Sequence, residues 1–223
     1  MSLTVTGTLE STVKRHLDEI VNKLQEAQAL EESTVVLMGS VAREKQTWRS
    51  DTDFLVVTTM HVSRWRVPVN LHLHLETRET FLRKLNEGND FEAWAVRFGK
   101  VCVDLSGWWP QALADKGCQV WPDWRLKVKH ARKRQSIASH MLADGDWGAA
   151  EEEYLMLAAH VARALLLRAR VFPLSRPEMP AQLSEIGFLD DAGSLDRLMN
   201  GTKDVDELRQ IVAFVEQRLN ELE

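Results

Sequence analysis

The sequence predicts an α+β domain, with a short mixed sheet flanked by helices, followed by an all-α helical bundle. Three observations carry this. Short β-branched or alternating apolar runs recur at 34–38, 54–57, 69–75 and 99–104. No such run follows Trp109. Beyond it, long patterns of helical period take over, at 124–142, 147–169 and 205–222. The division is drawn at 1–110 and 111–223.

In chain order, Val13, Leu17, Ile20, Val21, Leu24 and Ala27 recur at helical spacing, so an amphipathic helix covers 9–29. The run 34–38 is a short buried strand ended by Gly39-Ser40, and 54–57 is a second. Residues 69–75 alternate strictly. Val69, Leu71, Leu73 and Leu75 lie on one face, with Asn70, His72 and His74 on the other. A helix follows over 79–85 and stops at Gly88, then Asp90 serves as N-cap of a short helix to Phe98. Residues 99–104 close the strand set. In the second half, Asp144-Gly145-Asp146 separates two long helices, and a proline-bearing connector spans 173–180. Shorter helical turns are expected at 180–186 and 192–199. Leu155, Ala158, Ala159, Ala162, Leu165 and Leu166 form the core stripe of the second long helix.

Composition excludes several classes. The chain has 223 residues, 44% hydrophobic and 27% charged, which suits a globular protein with a true core. A net charge of -5 argues against a surface that is basic throughout, so any anion site comes from a local cluster. Cys102 and Cys118 form no CxxC pair, against a disulfide framework or structural zinc. No secretory leader or membrane-length apolar run is visible, and the expected location is cytoplasmic.

The chemistry concentrates between the first two strands. Val35-Val36-Leu37-Met38-Gly39-Ser40 is followed, after Arg43, Lys45 and Arg49, by Ser50-Asp51-Thr52-Asp53-Phe54-Leu55-Val56-Val57. Residues two apart on a strand share a face, so Asp51 and Asp53 project together, ~6–7 Å apart along the strand. Like charges that close favour a bridging cation, and magnesium prefers carboxylate and phosphate oxygens. Gly39 lets the backbone turn tightly, Ser40 offers a hydroxyl and an amide to a phosphate, and a helix following the turn would add N–H donors. An Asp-x-Asp alone is as well explained by a turn followed by a surface acid. Apolar strand, Gly-Ser, ten-residue spacer, acid pair and apolar strand together are far more specific.

That combination resembles the signature of the DNA polymerase β-like nucleotidyltransferase superfamily, in which a Gly-Ser or Gly-Gly turn precedes an Asp-x-Asp pair. The match spans 35–57, with weaker agreement to 104. It is most similar to the small bacterial branch, the minimal and aminoglycoside nucleotidyltransferases, where a helical bundle follows. The resemblance implies transfer of a nucleoside monophosphate from an NTP, with ATP the expected one, to an acceptor hydroxyl on a small molecule such as an aminoglycoside, a protein or an RNA. It implies Gly39 and Ser40 at the triphosphate, with Arg43 and Ser50 beside them. Asp51 and Asp53 would bind one or two Mg²⁺ ions, in a cleft between the two domains. It also allows a homodimer, since related enzymes complete their clefts that way. The family's third carboxylate should lie on the strand at 69–75. There the sequence departs: His72 takes the acid's slot, and Glu76 lies one or two strand steps late. Either His72 replaces the acid as base or metal ligand, or Glu76 reaches back, or the site binds nucleotide without catalysing transfer. A non-catalytic nucleotide-binding or toxin–antitoxin-like regulator is the alternative function.

In the second half, Arg125, Lys127, Lys129, His130, Arg132, Lys133 and Arg134 crowd one helix. They are either a solvated face or a source of cations for the triphosphate, with Lys129 and Lys133 the candidates. The same patch leaves a nucleic-acid acceptor open. Such bundles also resemble the HEPN superfamily, and Arg134 with His140 fits the spacing of its ribonuclease members, although a scaffold role suits this half better. Among eight tryptophans, Trp108, Trp109, Trp121 and Trp124 cluster near the proposed junction, and Trp48 lies in the spacer before the acids.

Overall fold

A computed structural model describes residues 7–47, 50–60, 62, 65–116, 120–202 and 204–223. Trp48, Arg49 and Cys118 of the readings above lie outside them. Six consecutive buried residues, Ser33–Met38, form β1, and Thr52–Thr58 form the nearly as buried β2. Such continuous apolar runs belong in the middle of a sheet covered on both faces. With β3 (Leu71–Thr77) and β4 (Lys100–Asp104) they make a four-stranded sheet of order β3-β2-β1-β4 among the described residues. β1 is antiparallel to β2 and β4, whereas β2 and β3 are parallel, so the sheet is mixed as expected.

Strand β3 starts later than 69–75. Val69 and Asn70 form a turn, closed by the Leu71 amide donating to the Pro68 carbonyl, and Val69 is fully exposed. Proline at 68 favours that turn, and it moves the strand on to include Glu76 and Thr77. Its faces survive the shift: Leu71 is buried, and His72 and His74 are exposed.

Helices flank this sheet. α1 (Gly7–Glu26) buries Ile20 and Leu24 against Val35, Phe54 and Val56. α2 is a single turn, Gly39–Ala42, too short to act as the helix end envisaged for phosphate. Thr77 ends β3 and at once caps α3 (Arg78–Asn86), accepting from the Thr80 amide at 3.1 Å. α4 (Asp90–Phe98) is capped by Asn89, whose carbonyl oxygen accepts from the Phe91 amide, so Asp90 is the first helical residue rather than the cap. The helix α5 (Trp108–Lys116) was not foreseen. Its start is held by Asp104, which accepts from the Trp109 amide at 3.0 Å and from the Thr34 hydroxyl at 3.0 Å. Trp109 packs on Phe81, ring centres 5.3 Å apart, so this tryptophan is core.

The chain divides into two compact units, Met1–Pro122 and Asp123–Glu223. The second contains α6 (Trp124–Ala143), α7 (Trp147–Arg168), α8 (Met179–Glu185), α9 (Leu189–Asn200) and α10 (Val205–Glu221). Asp123, Asp146 and Asp204 cap α6, α7 and α10. α7 is buried nearly all round, as a central bundle helix must be. Its Ala158, Ala159 and Ala162 are buried, as are Ala131 and Ala138 of α6, and small side chains let the two helices pack closely. Arg218 of α10 reaches Asp191 of α9 at 3.1 Å and stacks over Phe188 and Phe214. It lines a mainly apolar cavity of about 360 Å³ with Leu165, Arg168 and Phe188, all within this unit. No described helix is long and apolar enough to cross a membrane.

Candidate active site

Antiparallel pairing explains the ten-residue spacer. A chain leaving the end of β1 and returning as the start of β2 must bring those two ends together. Met38 is thus paired with Asp53. Gly39, immediately after Met38, has φ +67°, a conformation that glycine adopts at no steric cost. A Cβ added there would collide with the Asp53 carboxylate. Both constraints demand glycine, and together they pack the bare turn against the acid.

Hydrogen bonds tie the two ends of the spacer. The Ser40 hydroxyl donates to Ser50 Oγ at 3.1 Å, and Ser50 Oγ also accepts from the Thr47 amide at 2.9 Å. The Lys45 amide donates to the Ser40 carbonyl at 2.9 Å. Gly39, Ser40, Ser50, Asp51 and Asp53 are therefore one local assembly. Arg43 ends α2, and its guanidinium lies over the Phe98 ring at 5.1 Å.

Parallel pairing supplies the next residue. Asp53 is in register with His72, whose side chain stands beside both acids. Nδ1 is 3.2 Å from Asp53 Oδ1, and Nε2 is 3.7 Å from Asp51 Oδ2. The side chains of Asp51, Asp53 and His72 are 43%, 30% and 57% exposed, so the assembly is open to ligands. His72 is therefore the side chain that the neighbouring strand sets against both acids.

Glu76 does not join them. It pairs with Val57, four residues along the strands from Asp53 and His72, or ~13 Å. Its carboxylate is instead bound by Lys84 of α3, which also reaches Glu92 of α4 at 3.3 Å. This cluster went unnoticed in the sequence. The available signal was Glu92, which shares the buried face of α4 with Ala95. Burial first, and the neighbouring Glu76 carboxylate second, raise Glu92 to about 7. Loss of water on the side of its ring that packs against Phe91, at 4.6 Å, is the main force lowering the pKa of His74, whose other side stays exposed.

Two outcomes follow for the first unit. Lys84→Met strands two buried carboxylates and lowers stability by about 3 kcal/mol in denaturant titration. Glu92 binds its proton more tightly when folded, so its favourable contribution is full at low pH. It is lost as pH rises from its ordinary 4.5 through about 7. Glu92→Gln stays neutral, so its melting temperature rises relative to the native chain between pH 5 and pH 8.

The basic helix α6 is less free than its composition suggests. Arg132 is bound to Gln135, Asn220 and Glu223, and Arg134 Nη1 donates to both carboxylate oxygens of Glu153 at 2.9 Å. His140 sits against its own helix, 2.6 Å from the Ser136 carbonyl. The Arg134 and His140 pair thus consists of a structural ion pair and a locally bonded ring. Lys127 is buried, and the His130 ring meets His160 edge-on at 5.3 Å. Burial, with Arg163, Lys127, His130 and Arg134 nearby, pushes His160 down to about 2, so it is neutral. Lys129 and Lys133 are exposed one turn apart on the second unit.

Divalent magnesium is held by one or two carboxylates plus substrate phosphates, rather than by an all-protein cage. The donor set here suits that mode: Asp51 and Asp53 beside a turn with no side chain. Among the described residues, no three His, Cys, Asp or Glu side chains by themselves form a site for a metal ion.

No curated protein matches the chain. Among solved structures, it is similar to a nucleotidyltransferase-like protein from Exiguobacterium sibiricum, at 16% identity, over 93% of this chain and 74% of that one, with a TM-score of 0.46. The model of the nucleotidyltransferase domain matches residues 17–137, a span that takes in the Gly39 turn, both acids and the whole sheet. On that match, over more than half its length, the chain belongs to the nucleotidyltransferase domain family.

Proposed function

We propose that this protein transfers a nucleoside monophosphate from an NTP, with ATP the expected donor, to an acceptor hydroxyl, and that Mg²⁺ serves the reaction. One observation supports the reading: the Gly39 turn packs directly on the Asp53 carboxylate, which sets a bare backbone turn suited to phosphate beside an acid suited to a metal ion. Gly39 admits the triphosphate close to the backbone. The Ser40 and Ser50 hydroxyls can turn outward from one another to phosphate oxygens. Asp51 and Asp53 hold the ion. When bound, Mg²⁺ neutralises charge developing on the reacting phosphates. The acceptor hydroxyl gives its proton to the His72 imidazole as its oxygen bonds to the α-phosphorus, the bond to the bridging oxygen breaks, and pyrophosphate leaves with its charge compensated. Asp51, Asp53 and His72 are the proposed catalytic residues. Glu76 is assigned to the structural cluster with Lys84 and Glu92.

The acceptor is a hydroxyl compound, with a small molecule, a protein and an RNA the classes to be tried. Pyrophosphate release from each of the four NTPs with Mg²⁺, against acceptors of those classes, tests the reaction. Release that depends on both acids supports it. Nucleotide binding with no release from any acceptor would favour the regulatory alternative, which the histidine in the third-acid slot motivates.

A further inference from the structure

We infer that Lys100 is a positioning residue for the Gly39-Ser40 turn, acting through Glu44, so that the ion pair between them presents the turn to a phosphate. The inference rests on the proposed role of that turn. It adds a residue from β4, a strand that carries none of the proposed catalytic side chains.

The turn is held from two sides. On the β2 side, Ser50 Oγ accepts from the Ser40 hydroxyl and the Thr47 amide. On the other side of β1 lies β4, whose first residue, Lys100, is in register with Leu37, two residues before Gly39. From there Lys100 Nζ donates to Glu44 Oε1 at 2.7 Å, joining residues 56 apart in the chain. Two residues before Lys100, Phe98 lies beneath the Arg43 guanidinium. Consecutive residues of the chain leaving the turn are thus gripped from one short segment. That segment is itself closely packed. A Cβ added at Gly99 would come within 2.5 Å of the Ala95 carbonyl oxygen and of Val36 Cγ1, so the backbone there is wedged between α4 and β1.

Glu44 also carries backbone strain, with φ +60° in the left-handed region. Glycine or asparagine would adopt that conformation more easily, and such strain persists where the surroundings over-determine it. The glutamate side chain is what the Lys100 ammonium takes hold of. That hydrogen bond, the largest influence on Glu44, keeps its carboxyl below the ordinary range, so the carboxylate stays ionised. The side chains of Lys100 and Glu44 are 39% and 54% exposed, and pairs so open add little to global stability. What the pair governs is therefore local. Without it, Glu44 loses its hold on β4 and the turn can shift from the place where it packs on Asp53. The phosphates meet this turn in the ground state as well as during transfer, so loosening it weakens NTP binding more than it slows the chemistry.

The test uses the full chain. In the pyrophosphate assay, Lys100→Met and Glu44→Gln should each raise the KM for NTP about ten-fold, with kcat within about three-fold of native. Hydrogen exchange at the Lys45 amide, which donates to the Ser40 carbonyl, should quicken about ten-fold in both. The melting temperature should stay within about 3 °C of native. Lys100→Arg keeps the charge and should keep KM near native. The double variant should be no worse than either single one, because the two side chains act as one pair. Unchanged KM or unchanged Lys45 exchange in the single variants, or losses that add in the double one, overturns the inference and leaves the phosphate reading standing. Should the native chain bind ATP without turnover, the ATP dissociation constant replaces KM and the same outcomes decide. If the native chain binds no NTP, the phosphate reading falls, and this inference with it.

Discussion

Asp51→Asn combined with Asp53→Asn abolishes nucleotidyl transfer while leaving the fold intact. The acids hold the ion in the proposed reaction, and metal stabilisation of the reacting phosphates is worth several kcal/mol. At about 1.4 kcal/mol per factor of ten, the rate of pyrophosphate release should fall at least ~10³-fold. Folding should change little, within roughly 1 kcal/mol, because both side chains are partly exposed and like charges are relieved. Asparagine still accepts from the imidazole through its carbonyl oxygen, so the local bonds survive. A thermal melt beside the rate assay separates the two effects. If the double variant turns over at the native rate, the acid pair is not the metal site.

Gly39→Ala strikes the same site through the backbone. At φ +67° an L-residue costs about 1–2 kcal/mol. The new methyl also meets the Asp53 carboxylate, so the turn, the acid or both must move. A displacement near 1 Å in such a site costs about 10²-fold in rate. Gly107→Ala is the matched control. Gly107 has φ +65° in the same unit, but a Cβ there meets nothing within 4 Å. Both variants should lose similar stability, and only Gly39→Ala should lose transfer. Equal rates in the two would show that the contact with Asp53 does not matter to the reaction.

The site was legible in the sequence to the extent that local rules govern it. Glycine before serine, a polar spacer and alternating acids are features of single turns and strands, so Gly39, Ser40, Asp51 and Asp53 could be read from spacing. The alternation of β3 likewise gave His72 and His74 the polar face of the strand. What spacing could not supply was register. Proline at 68 moved the start of β3, and only the pairing with β2 shows that Glu76 lies opposite Val57 rather than Asp53. Lys84 and Glu92 stayed hidden because each looks like an ordinary surface charge until α3 and α4 pack beside the strand. Asn89 displaced Asp90 as cap because two capping residues stood side by side, and the backbone turn chose between them. Helix α5 was illegible for a different reason: Asp104, which anchors its first turn, belongs to the preceding strand and stands five residues before the amide it accepts from. In the second unit, the basic composition of α6 concealed how many of its cations are tied to acids of α7 and the chain end.

The position of β3 at the margin of the sheet carries a consequence for solubility. Among the described residues β3 pairs with β2 on one side only, and such a marginal strand is the usual route to self-association. Polar side chains on such a margin discourage that pairing. Here His72 and His74 are among them. Replacing either with valine would lengthen an apolar marginal strand that already holds Leu71, Leu73 and Leu75, favouring turbidity in concentrated solution even where the fold is unharmed.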